Sequence, residues 1–193
     1  MPFAHRIPGV SDILYVLAAE AEYGAHLKAR ISPLICGVGP VEASVNVTAE
    51  LARLNAVDQL PQIVVSLGSA GSPTLEQAAI YQATAVSYRD MDASPLGFER
   101  GVTPFLGLPA VLPMGPLVPG LARATLSTGG GIVSGATYGQ IGADMVDMET
   151  FGIRRACDRF ALPLVAIRGS SDGIAELRRS EDWMQYLNVS DER

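Results

Sequence analysis

Histidine and cysteine are scarce in this sequence, and their scarcity argues against several kinds of chemistry. The 193 residues include two histidines and two cysteines. His5 lies in the proline-containing segment at the start of the sequence, and His26 lies in a polar stretch. Because the two histidines are not clustered with cysteines or acids, neither a zinc site nor a Ser-His-Asp triad is expected. Cys36 and Cys157 each lie in an apolar segment, which predicts two buried, reduced thiols. We expect no metal and no cofactor, and carboxylates must carry any proton chemistry.

Positive charge and long apolar runs are also lacking. The formal net charge is −6, the wrong sign for a protein that binds the phosphate backbone of nucleic acids. A neutral or zwitterionic small molecule suits this charge better than an anion does. The apolar run at 13–19 is too short to cross a bilayer and is interpreted as a buried strand. These features predict a cytoplasmic protein without nucleic-acid or membrane partners.

Hydrophobic residues make up 48% of the chain, which is enough for one folded domain over residues 1–193. Short apolar runs alternate with helix-like stretches, the pattern of an α/β sheet fold. Strands are predicted at 13–17, 33–36, 63–67, 79–88, 110–112, 131–134 and 164–168. Helices are predicted at 20–30, 40–55, 147–160 and 181–187. In the helix that begins at Pro40, the apolar residues Val41, Val45, Ala49 and Ala52 share one face.

Several predicted strands are followed by small or acidic residues. Ligands of open α/β sheets collect at the carboxyl ends of strands, so these loops can converge on one site. Each residue also has an ordinary structural role open to it, as a solvated helix residue, a turn residue, a first-turn acid or a helix cap. The candidates are Glu20, Glu22, the turn at 68–71, Met148, Glu149, Ser171 and Asp172.

Two glycine patterns are negative for familiar motifs. Gly37 and Gly39 lack the third glycine of a dinucleotide fingerprint, because Glu42 occupies its place. The turn at 68–71 lacks the flanking spacing of a nucleophile elbow, and no histidine is available to activate Ser69. Dinucleotide binding and serine hydrolase chemistry are therefore not predicted.

Eight segments form a pattern that runs, in order, along nearly the whole chain: 17–22 (LAAEAE), 37–43 (GVGPVEA), 66–71 (SLGSAG), 88–92 (YRDMD), 96–98 (LGF), 132–135 (IVSG), 146–149 (VDME) and 167–172 (IRGSSD). Together they resemble the nucleoside phosphorylase/nucleosidase superfamily. The resemblance is greatest to the methylthioadenosine/S-adenosylhomocysteine nucleosidases, and VDME and IRGSSD are the most specific segments. The family implies a three-layer αβα fold with a central mixed, partly barrel-like sheet, and a homodimer.

The resemblance also assigns roles to three acids. Asp172 would protonate the purine at N7, because a leaving adenine anion is poor without a positioned acid. Glu149 would hold the ribose hydroxyls and stabilise positive charge at the ribosyl centre. Glu22 would orient and deprotonate the attacking water. The implied function is a purine nucleoside N-ribosyl hydrolase acting on a 5′-substituted nucleoside such as methylthioadenosine or S-adenosylhomocysteine.

The remaining positions implied by the resemblance bind substrate. Ser171 would support Asp172, and Tyr138 would stack on the base. Met148 would pack beside the sugar, and Trp183 would lie in the pocket for the 5′ substituent. Ser69 would lie at the sugar-side floor of the site, and Gly71 would also bind substrate.

Two alternatives stay open at this point. Phosphorylases of the superfamily place an arginine, which grips phosphate, three residues before the serine of the glycine-serine turn; here that position is Ser66. Glu22 would repel phosphate and suits the activation of water, so hydrolysis is favoured over phosphorolysis. A non-catalytic nucleoside-binding member is the other alternative, and retention of Glu22, Glu149 and Asp172 together argues against it.

Overall fold

The structure, a computed structural model, describes residues 12–172. Within these residues the chain forms eight strands and three helices. The strands are β1 (Ile13–Leu17), β2 (Leu34–Ile35), β3 (Ile63–Gly71), β4 (Ile80–Tyr88), β5 (Val111–Pro113), β6 (Ala122–Thr128), β7 (Met145–Asp147) and β8 (Leu164–Asp172). The helices are α1 (Ala25–Lys28), α2 (Pro40–Ala56) and α3 (Thr150–Arg159), and short 3-10 turns lie at Glu20–Glu22, Ser94–Leu96 and Gly135–Gln140.

The strands form one mixed sheet that closes on itself. β3, β7, β6 and β4 follow one another in the sheet, and β8 pairs with both β3 and β4. Five strands therefore form a closed ring. β1 and β2 extend the sheet from β3, and β5 pairs with β4. The predicted mixed, partly barrel-like sheet flanked by helices is confirmed.

The long strands β3 and β8 carry the ring. They pair in parallel from Val64 with Leu164 to Ser69 with Gly169, and the pairing continues past a bulge to Gly71 with Asp172. The segments 68–71 and 169–172, which the sequence predicts as turns after two strands, are therefore strand. Small residues at these positions permit the close backbone approach and strong curvature of a small barrel.

Helices α2 and α3 pack against each other beside the sheet. A Cβ atom at Gly152 would lie 2.6 Å from Oγ of Ser44, so only glycine permits this approach. The face of α2 that enters the core carries Ala43, Val47 and Leu51. The apolar stripe picked out by the sequence pattern lies on the opposite side: Val41 is 67% exposed and Val45 is 58% exposed.

Most predicted elements exist, and two predictions are wrong. The predicted strand at 131–134 is not a strand: Ile132 is exposed, and the strands of this region are β6 and β7 on either side. Polar residues separate Ala124 and Leu126 in β6, so this strand contains no apolar run that would predict it. The predicted helix at 20–30 is split at Tyr23 and Gly24 into a 3-10 turn and α1. The helix predicted at 181–187 lies outside the described residues.

Cys36 and Cys157 are buried free thiols, as predicted. Burial raises the pKa of each to about 12. Within residues 12–172, no helix has both the length and the apolar content needed to cross a membrane.

Candidate active site

Glu22 and Ser69 meet at the carboxyl end of the sheet. Glu22 ends the 3-10 turn that follows β1, and Ser69 lies in β3. Oε1 of Glu22 accepts hydrogen bonds from the backbone N–H and the hydroxyl of Ser69, both at 2.8 Å. Oε2 is buried and has no hydrogen-bond partner among the described residues. Gly68 leaves room for this carboxylate, because a Cβ atom there would lie 3.2 Å from Oε1.

Glu149 lies at the N-terminus of α3 and is 9% exposed. The backbone N–H of Gly39 donates to its Oε1 at 2.9 Å. Gly39 has φ +98°, a conformation that favours glycine, so the turn before α2 is shaped to offer this N–H. Burial and, second to it, the charge of Asp147 raise the pKa of the Glu149 carboxyl to about 7.

The two acids line one small cavity. Glu22, Ser69 and Glu149 were all predicted as site residues, and the fold brings them together here. The other residues around the cavity are Ala18, Ser66, Leu67, Gly68, Ile153 and Arg168. A small, polar cavity between two carboxylates is suited to a water molecule.

Arg168, a residue of β8, is the cation in the cavity wall, and it is 2% exposed. Its Nε and Nη2 donate to Oδ2 of Asp147 at 3.2 and 3.0 Å. Nη2 also donates to Oγ1 of Thr150 at 2.6 Å. Both Nη atoms reach Ser66, at its carbonyl oxygen (3.2 Å) and its hydroxyl (3.0 Å). With a further bond from Nη1 to the carbonyl of Ile167, all five N–H donors of the guanidinium are used.

Asp147 holds the N-terminus of α3 as well as Arg168. Its Oδ2 accepts from the backbone N–H of Thr150 at 3.1 Å and from the Thr150 hydroxyl. Its Oδ1 accepts from the hydroxyl of Thr128 at 2.6 Å. The carboxylate thus caps the helix that carries Glu149 and pairs with the cavity arginine.

Four further predicted site residues lie on β3, on β8 and in a 3-10 turn. Gly71, the last residue of β3, pairs with Asp172, the last residue of β8. Ser171 is buried, and its hydroxyl donates to the carbonyl of Ala70 at 3.4 Å. Tyr138 lies in the 3-10 turn Gly135–Gln140 and packs with Val133, Val146 and Ile141.

Met148 is half-buried beside Glu149. The predicted position Trp183 lies outside the described residues.

The sequence patterns do not single out the supporting groups, chiefly Arg168, Asp147 and Gly39. An arginine inside the apolar run of a central strand is the signal that could identify Arg168, since an arginine is almost never fully buried unless paired. The donor role of the Gly39 N–H has no such signal, because it depends on a residue 110 positions away. Within residues 12–172, no group of three His, Cys, Asp or Glu side chains is placed to hold a metal ion.

Known proteins resemble this chain in sequence and in fold. The sequence profile of the phosphorylase superfamily matches residues 20–191. A 5′-methylthioadenosine/S-adenosylhomocysteine nucleosidase from Baumannia cicadellinicola is 29% identical over 156 residues, which cover 70% of this chain and 65% of that protein. The match thus spans slightly less than two thirds of that relative.

Two solved structures are similar over almost their whole length. A 5′-methylthioadenosine/S-adenosylhomocysteine nucleosidase from Colwellia psychrerythraea, in complex with adenine, has TM-score 0.75 and 22% identity, covering 93% of this chain and 89% of that one. Futalosine hydrolase of Helicobacter pylori has TM-score 0.76 and 17% identity, covering 95% of both chains. At these identities the structural likeness shows the fold.

Proposed function

This chain belongs to the phosphorylase superfamily, and from that premise we propose that it is a purine nucleoside N-ribosyl hydrolase. It releases adenine or a related purine from a 5′-substituted nucleoside such as methylthioadenosine or S-adenosylhomocysteine. The similar Baumannia protein is a 5′-methylthioadenosine/S-adenosylhomocysteine nucleosidase, and the similar Colwellia structure is a complex with adenine. Both support a purine nucleoside as substrate.

The observation that carries this proposal is the bare carboxylate oxygen of Glu22. Ser69 holds Oε1, while the buried Oε2 faces no other hydrogen-bond partner among the described residues. A buried acceptor is costly when unsatisfied, so a water molecule is its natural partner. Glu22 is thus placed to orient that water and take its proton as the glycosidic bond breaks.

The wall of the cavity favours water over phosphate. Arg168 cannot grip a phosphate without abandoning Asp147, Thr150 or Ser66, because its five N–H donors are all used. Ser66 occupies the position where phosphorylases of the superfamily carry an arginine. Two carboxylates line the same cavity and would repel an anion. Phosphorolysis is therefore the weaker alternative.

Glu149 is proposed to bind the ribose hydroxyls and stabilise the ribosyl cation. Gly39 holds Oε1, which leaves Oε2 to accept from a sugar hydroxyl. A negative charge in this buried position is worth most when positive charge develops beside it, in the transition state. Met148, beside Glu149, is proposed to pack on the sugar.

Asp172 is proposed as the acid that protonates N7 of the purine, with Ser171 beside it. Tyr138 would stack on the base, Gly71 would permit its close approach, and Trp183 would contact the 5′ substituent. The pairing of Gly71 with Asp172 supports this assignment, since it brings the two strand ends to one edge of the ring.

Purine release with and without phosphate tests the proposal. Wild-type protein should release adenine from methylthioadenosine at a rate unchanged by phosphate, with a free reducing sugar as second product. Glu22→Gln should lose about 100- to 1,000-fold in kcat, because the amide cannot take the proton. Glu20→Gln is the matched control: it lies in the same turn, is exposed and should keep full activity.

A ribose 1-phosphate product, with a rate that saturates in phosphate, would establish the phosphorylase instead. Nucleoside binding without purine release would establish the non-catalytic binder.

The same proposal places the protein in the cytoplasm as a homodimer, with residues 1–193 as one domain. Two buried free thiols fit a reducing compartment. The exposed valines of α2 provide an apolar surface that a second copy could cover.

A further inference from the structure

Arg89, directly after β4, makes a set of contacts that the proposed chemistry does not use. Its Nη1 donates to the carbonyl oxygens of Ser127 (2.6 Å) and Asp147 (2.9 Å). Its Nη2 donates to the carbonyl oxygens of Gly129 (3.1 Å) and Gly131 (2.6 Å). One half-buried guanidinium thus satisfies four backbone carbonyls from two parts of the chain.

These two parts lead to the two halves of the candidate site. Residues 129–134 connect β6 to the turn Gly135–Gln140, which carries Tyr138. Asp147 ends β7 and precedes Met148 and Glu149 directly. The backbone N–H of Gly129 also donates to the Asp147 carbonyl at 3.2 Å, so loop and strand share one acceptor with Arg89. The guanidinium therefore lies at the junction between residues 129–140, the Tyr138 loop, and the end of β7, which leads directly to Glu149. We call this junction the seam.

The seam requires both an arginine and a glycine. The planar guanidinium has five donors in a fixed fan, whereas a lysine ammonium has three on a flexible stem, so lysine cannot reproduce all four contacts. A Cβ atom at Gly129 would lie 2.6 Å from Cγ and Nε of Arg89 and 2.6 Å from Oδ1 of Asp90. Any side chain at position 129 would displace Arg89.

Neighbouring contacts extend the seam. Oδ2 of Asp90 accepts from the backbone N–H of Gly130. The rings of Tyr88 and Phe151 stack with centroids 5.0 Å apart, which joins the end of β4 to α3. Burial lowers the pKa of Arg89, and the nearby Asp90, Asp147, Tyr138 and Glu149 oppose this shift. The charge of Arg89 thus lies near both Tyr138 and Glu149.

We propose that Arg89 is a positioning residue that holds the Tyr138 loop against the end of β7. In this way it fixes the distance between Tyr138, proposed to contact the base, and Glu149, proposed to contact the ribose. This inference rests on the proposed function for its substrate. A loosened loop would weaken base binding, while Glu22 and Ser69, which hydrogen-bond to each other and not to Arg89, would keep their geometry.

The test compares Arg89→Met and Arg89→Lys with Arg53→Met, a control at an exposed arginine of α2. Arg89→Met should raise KM for methylthioadenosine and the Kd for adenine by about 10-fold, with a smaller change in kcat. Lysine should restore part of the loss, and the control should match wild type in all three constants. Unchanged KM and adenine Kd in a folded Arg89→Met protein with a lowered Tm would reduce Arg89 to a stabilising residue.

Gly129→Ala provides a second approach if the arginine variants fold poorly. It should reproduce the KM effect by displacing Arg89, and the double variant with Arg89→Met should be little worse than the worse single variant. Fully additive losses in kcat/KM would contradict the shared seam.

Amide hydrogen exchange separates this inference from the proposed function. Arg89→Met should speed exchange in residues 129–140 by about 10-fold and leave residues 63–71 unchanged. If wild type releases no purine but this exchange pattern is found, the proposed substrate fails and the positioning role stands. If purine release is normal and exchange is unchanged, the positioning role fails alone.

Discussion

Among single residues, Glu149 makes the stability of the protein depend on pH. Its pKa is raised from an ordinary 4.5 to about 7, so the folded state takes up a proton more readily than the unfolded state does. Stability from that protonation is complete below about pH 4.5 and is lost as the pH rises through about 7. The charged form is therefore tolerated at neutral pH at the expense of stability.

Replacing Glu149 with glutamine should remove this dependence. The neutral amide keeps the acceptor for Gly39, so Glu149→Gln should match wild type near pH 5. Near pH 8 it should be more stable by on the order of 2 kcal/mol in urea unfolding. Glu50→Gln is the control, since its ion pair with Arg53 is exposed and lowers the pKa of Glu50 instead. No gain in stability at pH 8 would contradict the raised pKa of Glu149.

Gly68 leaves the space that the carboxylate of Glu22 occupies. A Cβ atom there would lie 3.2 and 3.4 Å from the two carboxylate oxygens of Glu22, which would have to shift by a few tenths of an ångström. Gly68→Ala should therefore lower kcat about 10-fold with little change in Tm. Gly142→Ala, whose Cβ atom would meet nothing within 4 Å, should leave both unchanged. Wild-type turnover in Gly68→Ala would mean that the position of Glu22 is not limiting.

Among the elements, β8 and β7 are joined by the buried pair of Arg168 and Asp147, whose side chains are 2% and 1% exposed. Removing one partner leaves the other charge buried without compensation. Arg168→Met should cost about 3–5 kcal/mol in the free energy of unfolding. The double variant with Asp147→Asn should recover part of this loss, because no uncompensated charge remains. Equal stability of the single and double variants in urea titrations would show that the pair contributes no charge coupling.

For the whole molecule, the exposed stripe of α2 predicts how copies associate. Val41 and Val45 lie away from the core face of the helix and are more than half exposed. Val41→Asp should shift the protein from dimer to monomer in sedimentation equilibrium, because a charge at the centre of an apolar contact is desolvated without a partner. Val57→Asp, at the C-terminal end of the same helix, is the control and should leave the mass unchanged. A monomeric wild type, or a dimeric Val41→Asp, would exclude this face as the interface.

Local signals of the sequence were sufficient for part of the fold. β1 and α2 were predicted nearly at their observed bounds, because apolar runs and a proline at the first helical turn act over a few residues. α3 begins at Thr150, three residues after its predicted start, because Asp147 ends strand β7. β6 was missed because polar residues separate its core residues Ala124 and Leu126 and leave no apolar run. The role of 68–71 as strand could not be predicted, because it depends on pairing with β8 about 100 residues further along.

The sequence alone determined the chemical inventory: acids rather than histidines or thiols, small residues at strand ends, and segments typical of one enzyme family. Only the tertiary structure decided how these groups act. Glu22 meets Ser69 across 47 positions, Arg168 meets Ser66 across 102, and Glu149 meets Gly39 across 110. Such contacts depend on closure of the sheet into a ring, which is a property of long-range strand pairing and packing. Residue type sets which proton or charge a side chain can offer, and closure sets which neighbour receives it.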